Sequence, residues 1–149
     1  MNDLQRLESW LSPLLTKLQP AERRVLARNI AQRVRKANQA TMQSQQAPDG
    51  SPWQPRKHRS RDRAGRLRQG PMFRKLRSAR HIKAQGFSNE AVLQFVGRAA
   101  RIARVHHYGL RDLVAPGGAH YTYPERPLIG VPDELAEQLA DFILEYLVA

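Results

Sequence analysis

Between Ala47 and Gly70 the chain holds almost nothing that can enter a core. The run Ala47-Pro48-Asp49-Gly50-Ser51-Pro52-Trp53-Gln54-Pro55 carries three prolines and a Pro-Asp-Gly turn, so neither a helix nor a central strand can pass through it. Residues 56–70 are almost all Arg, Lys, Ser, Gly and Gln, with Leu67 as the one large apolar side chain. Ordering a backbone costs about 1–2 kcal/mol per residue, and this composition cannot bury enough surface to offset it. A mobile basic loop is therefore expected over 54–70. Trp53, a large ring among prolines, is expected to pin the loop to the body. The interruption splits the apolar pattern into a helical half before it and a mixed half after it.

Upstream, Leu4, Leu7, Leu11, Leu14, Leu15 and Leu18 recur at spacings of three and four, with Trp10 beside the stripe. This predicts a helix over 3–18, which tolerates Pro13 if it restarts with Ser12 as its cap. A second, longer helix is predicted over 20–46, with Pro20 in its first turn and Glu22 at the positive end of its dipole. Val25, Leu26, Ile30, Val34, Ala37 and Thr41 mark its apolar side; Arg23, Arg24, Arg28, Arg35 and Lys36 mark the other. At about 37 Å it is long for 149 residues, so it is expected to project beyond its own core or to meet a neighbouring copy.

Downstream, Met72, Phe73 and Leu76 suggest a short helix over 71–79. In 81–97 the period changes to two. Ile82, Ala84 and Gly86 alternate with polar neighbours, Ser88-Asn89-Glu90 is a turn, and 91–96 is a β-prone run. Helical spacing returns over 98–108, with Ala99, Ile102, Ala103 and His106 on one side and Gly109 as C-cap. Residues 110–120 read as a loop. Residues 121–131 read as extended, an edge strand or an extended arm, because Pro124 and Pro127 cannot serve a central strand. Pro132-Asp133-Glu134 opens a last helix with Leu135, Leu139, Phe142, Ile143, Tyr146 and Leu147 as its stripe. The expected fold class is α+β over a single domain, 1–149. It has two N-terminal helices (the second long), a small, mainly antiparallel sheet from 81–97 and 121–131, a further helix and a C-terminal helix.

The net charge is +12 and unevenly placed. Residues 54–80 hold eleven Lys and Arg against one acid, Asp62, whereas 133–149 hold five acids and no base. Such a chain attracts nucleic acid, anionic surfaces or acidic proteins. The basic segment has two readings. One is non-specific phosphate binding; the other is a solvated loop that orders on an acidic partner. Only Trp53 and Phe73 flank it, too few aromatics for a single-strand stacking platform. With no cysteine, disulfides, thiol catalysis and cysteine-held metals are excluded. His58, His81, His106, His107 and His120 form no metal-ligand spacing, and one of the adjacent pair is expected inside and one outside. No phosphate-cradling loop or nucleophile elbow occurs. The expectation is therefore no enzyme, no metal and no cofactor. No apolar run reaches a membrane-span length, and no secretory leader is read at the start.

Four segments carry a resemblance. These are Gln45-Gln46-Ala47-Pro48-Asp49-Gly50-Ser51-Pro52-Trp53, Met72-Phe73-Arg74-Lys75-Leu76-Arg77, Ile102-Ala103-Arg104-Val105-His106-His107-Tyr108-Gly109-Leu110 and Tyr123-Pro124-Glu125-Arg126-Pro127-Leu128-Ile129-Gly130. In that order they resemble the phage virion morphogenesis and tail completion proteins of contractile-tailed phages. Pro127 departs from the family's pattern and shortens the strand expected there.

The resemblance implies a structural virion protein at the head-proximal end of the tail, an α+β fold assembled as a ring of copies at the neck. Six copies would follow the symmetry of tails. Its partners would be the tail tube or sheath and neck or connector proteins, with genomic DNA passing the lumen; no membrane partner is implied. The residues expected to carry assembly are Asp49, Gly50 and Trp53 in the loop, Tyr108 and Gly109 at the helix end, and Arg126 and Pro127 before the last helix. Arg56, Lys57, Arg59, Arg61 and Arg63 of the basic segment join them. The plainer role for the loop and turn residues is to hold turns. The rival function is a free, non-specific nucleic-acid-binding protein that uses 54–80.

Overall fold

The longest element, helix α1 (Pro20–Gln43), is the one on which the first hairpin and the C-terminal helix pack. The structure is a computed structural model that describes residues 5, 6, 9, 18–56 and 70–148. Residues 5, 6 and 9 are helical; the rest of the helix expected over 3–18, Trp10 included, lies outside the described residues. So do residues 57–69 of the basic loop.

Three buried residues of α1, Leu26, Val34 and Met42, stand eight positions apart along one side. Each belongs to a different apolar cluster. Leu26 meets Ile143, Val34 meets Leu135 and Leu139, and Met42 joins Trp53, Met72, Leu76, Ile82 and Leu128. The helix therefore packs along most of its length and does not project from its core. Of its expected apolar side, Leu26 and Val34 are buried, Ile30, Ala37 and Thr41 are half-buried and Val25 is 53% exposed, while Ala27, Ala31 and Asn38 are inside.

Helix α1 also stops three residues short of the expected end. Gln45 takes a left-handed conformation (φ 59°), and the Gln46 N–H reaches back to the Thr41 carbonyl at 2.9 Å. No glycine marks this end.

Strands β1 (Ile82–Gly86) and β2 (Ala91–Phe95) form the antiparallel hairpin that the alternation predicts, with Ile82 opposite Phe95 and Gly86 opposite Ala91. One face lies on α1. The hairpin approaches so closely that a Cβ on Gly86 would stand 2.2 Å from the Arg28 backbone nitrogen and 2.5 Å from the Arg24 carbonyl oxygen. Helix α2 (Arg98–Tyr108) follows as expected and ends at Gly109 (φ 66°, ψ 50°). Ala99 and Ala103 are buried as expected, but Ile102 is half exposed. The final helix α3 (Asp133–Val148) buries Leu135, Ala136, Leu139 and Ile143 against α1, and Arg33 of α1 lies 3.7 Å above the Phe142 ring.

The α+β class stands, with three complete helices and two small antiparallel sheets among the described residues, but three expectations inside it are corrected. Residues 71–79 form turns rather than a helix, because Phe73 has a positive φ (61°). The expected loop at 110–120 is largely a second hairpin, β3 (Arg111–Leu113) with β4 (His120–Thr122). Of the expected strand 121–131, only its first two residues enter a ladder. Residues 123–131 run on as a strap, bent at Ile129, with no ladder partner.

Substituting Gly86→Ala should cost about 3 kcal/mol, since the added carbon meets helix backbone that has no room to yield. Urea denaturation should show the loss. A change below about 0.5 kcal/mol, the level of an ordinary surface substitution, would contradict the close approach.

Candidate functional site

The strap carries backbone N–H groups into the interior without a strand to receive them, and an unpaired buried N–H is costly. Alternate residues solve this with three different partners. The Arg126 N–H donates to the His106 carbonyl (2.8 Å), one of the carbonyls that the end of α2 leaves open. The Leu128 N–H donates to His107 Nδ1 (3.1 Å), and the Gly130 N–H to Asn38 Oδ1 (2.6 Å). Asn38 Nδ2 returns a hydrogen bond to the Gly130 carbonyl (3.0 Å) and gives another to Val34 (2.8 Å). This amide is 1% exposed and stands where a strand's backbone would.

The same device holds residues 70–78. The Met72 N–H donates to Gln45 Oε1 (2.7 Å), and Gln45 Nε2 donates to the Met72 carbonyl (3.1 Å). Gln39 Nε2 caps the Arg77 carbonyl (2.7 Å). One end of α1 thus fastens the segment before the first hairpin, and its middle fastens the strap.

The proline-rich loop closes over this framework. Asp49 accepts hydrogen bonds from the Ser51 hydroxyl and N–H, which hold its carboxyl below the usual range. Gly50 (φ 89°) turns the chain, and the Ala47 N–H meets the Ser51 carbonyl at 2.8 Å. Trp53 is buried, as expected. Its indole N–H donates to the Pro127 carbonyl (2.8 Å), and its ring sits edge-on to Phe73. From there an aromatic chain runs Phe73, His106, Tyr123, Tyr121, each ring centroid 4.7–4.9 Å from the next.

Arg126 locks loop to strap. It is 6% exposed, donating from Nε to the Gln54 carbonyl (2.8 Å) and from Nη2 to the Pro55 carbonyl (3.1 Å). Burial pulls its affinity for protons down, yet a guanidinium stays charged. No carboxylate pairs with it among the described residues. Carbonyl dipoles carry the charge instead.

Trp53, Arg126, Pro127 and Gly109 are therefore brought together; a Cβ on Gly109 would stand 2.8 Å from the Glu125 nitrogen. Asp49 and Gly50 lie exposed at the loop tip, Arg56 is exposed at the edge of the described residues, and Tyr108 is 63% exposed on α2. Lys57, Arg59, Arg61 and Arg63 lie outside the described residues. Sequence reasoning missed Asn38, Gln45 and the receiving role of His107. Asn38 did carry a signal: a polar residue midway between Val34 and Met42 on the apolar stripe. Gln45 carried none.

The adjacent histidines are both half-buried, not one in and one out. Burial lowers both below their ordinary value of 6.5; Arg126 pushes His106 further down, and Glu125 pulls His107 partly back. Among the described residues, no group of three or more His, Asp or Glu could hold a metal ion, and no helix is long and apolar enough to cross a membrane.

What this framework offers is a held stretch, Trp53 to Pro55, at the point where the basic segment begins. The chain belongs to the phage virion morphogenesis family, which matches residues 2–148. It is similar to the tail completion protein S of Escherichia phage P2, with 35% identity over 149 residues, 99% of this chain and 99% of that one. No solved structure matches it.

Asn38→Ala should cost about 2–4 kcal/mol, because both polar groups of Gly130 lose their partner. Acid should act through the histidines before the carboxylates. The fold favours neutral His106 and His107, so the unfolded chain binds protons first. Stability should be full above pH 6.5 and fall below it, levelling once the folded histidines titrate. Asp49 and Asp112, held below 3.8 by hydrogen bonds from Ser51 and Arg101, keep their stabilising effect until the pH falls below 3.8. Chemical denaturation between pH 7 and 5 should show a slope that shrinks in His107→Gln.

Proposed function

We propose that this chain completes a phage tail at its head-proximal end, as a ring of copies that prepares the tail to join the head. It works by fit rather than by transforming a substrate, and its place is the neck of the virion after assembly in the host cytoplasm. The observation that carries the reading is the end-to-end similarity to a protein named for tail completion.

The geometry agrees with it. Arg126 fixes the Gln54 and Pro55 carbonyls, so the basic segment leaves the body from a set point beside Trp53. A run with Arg56, Lys57, Arg59, Arg61 and Arg63 launched from a fixed base suits an acidic surface on a neighbouring tube, sheath or connector protein. Whatever faces the ring's lumen would pass close to the genome. Six copies would match the symmetry of a tail tube. The whole chain, 1–149, acts as one domain in this role.

Deleting residues 56–68 in a phage that carries this chain should leave complete tails that fail to join filled heads; normal joining would remove the docking role. The same stock separates the rival reading. A neck component cofractionates with purified particles. A free nucleic-acid binder would instead bind duplex with an affinity that falls steeply with salt, about 0.9 log units per log unit of salt for each phosphate neutralised.

A further inference from the structure

Helix α3 presents two unlike faces. Leu139 and Ile143 are buried against α1, while Glu137, Asp141, Leu144, Glu145 and Val148 are exposed on the other side. Val148 is 83% exposed. Although the chain carries a large excess of arginine and lysine, none of the α3 carboxylates has an ion-pair partner among the described residues.

Helix α2 shows the opposite sign. Arg98, Arg101 and Arg104 are exposed on it together with Ile102 and Tyr108. Only Arg101 has a carboxylate partner among the described residues, Asp112 at 2.8 Å. Beside Arg104 and Tyr108 opens an apolar groove of about 590 Å³, walled by Ile30, Leu93, Phe95, Ile129 and Val131.

We propose that the acidic face of α3 on one copy docks against the basic face of α2 on the next copy. Leu144 and Val148 then seat at the groove beside Tyr108. The proposal rests on the ring reading and names its interface. A second copy is the occupant because this chain itself supplies the complement: a row of unpaired carboxylates with two apolar knobs, against a row of arginines beside an apolar groove. Nucleic acid would use the arginines alone and would leave both the knobs and the groove unmatched. The two faces are different patches of one chain, so the contact is heterologous and propagates from copy to copy until it closes.

Analytical ultracentrifugation of the full chain tests this. Glu137→Lys with Glu145→Lys should raise the dissociation constant of self-association at least about tenfold, and so should Arg98→Glu with Arg104→Glu, since each sets like charges face to face. These positions are exposed, and circular dichroism should show both proteins folded. Mixed one to one, the two variants should assemble again, because in an alternating ring every contact then meets opposite charge. Tyr108→Ala should weaken association without moving the melting temperature, and added salt should weaken it in the unaltered protein.

Unaltered assembly by both charge-reversed proteins would overturn this interface and leave the ring intact. So would variants that lose only affinity for duplex DNA. An unaltered protein that stays monomeric at high concentration, and in the presence of tail tubes, would overturn the ring and the interface with it.

Discussion

Two carboxamides, one on α1 and one in the turn just after it, do the work that a sheet would do in a more regular fold. Asn38 and Gln45 each pair with the N–H and the carbonyl of a single residue, Gly130 and Met72. Those residues belong to segments that have no strand beside them. Buried peptide groups without partners would make both segments untenable at the surface of α1. With the amides in place, Met72, Leu76 and Leu128 can sink into the same apolar cluster as Met42 and Trp53. Hydrogen bonding here permits the packing, and the packing supplies most of the stabilisation.

The consequence is a structure in which distant parts of the chain meet at one place. Trp53 donates to Pro127, Arg126 holds Gln54 and Pro55, and His107 receives Leu128. Each contact joins the region before the basic segment, or the helix after the hairpin, to the strap. That arrangement keeps the start of the basic segment steady, which is what a docking role asks of it. The charges that remain outside fall into patches of opposite sign on α2 and α3, the pattern that the proposed contact between copies uses.

Much of the architecture was legible where local pattern and tertiary demand agree. The hairpin 82–95 shows its alternation and turn; α2 shows its period and its terminal glycine; α3 shows its stripe. Legibility failed where a residue's partner is remote. Gln45 ends α1 by a left-handed turn without glycine, and no local rule marks it. Phe73 takes a positive φ inside a stretch with helical spacing, because Gln45 captures Met72 and the rings of Trp53 and His106 flank Phe73. The strap read as extended because of its aromatic, β-branched and proline residues; its hydrogen-bond partners turned out to be a helix-end carbonyl, a ring nitrogen and an amide. Of the framework, the burial of Trp53 was legible from its place among prolines and Gly109 from the end of a helical pattern; that Arg126 and Pro127 would fasten the loop, and that two amides and a histidine would receive the strap, was not.

The amino-acid sequence alone determined α1, α2, α3 and the first hairpin, the separation of acidic from basic stretches, and membership of the family, because each depends on neighbours a few residues away or on motifs in order. Tertiary structure alone decided where α1 ends, how residues 70–78 and 123–131 are held, and that Arg126 is buried on carbonyls rather than displayed. Those outcomes depend on hydrogen-bond partners 20 to 92 residues distant, and no local periodicity encodes a partner that far away.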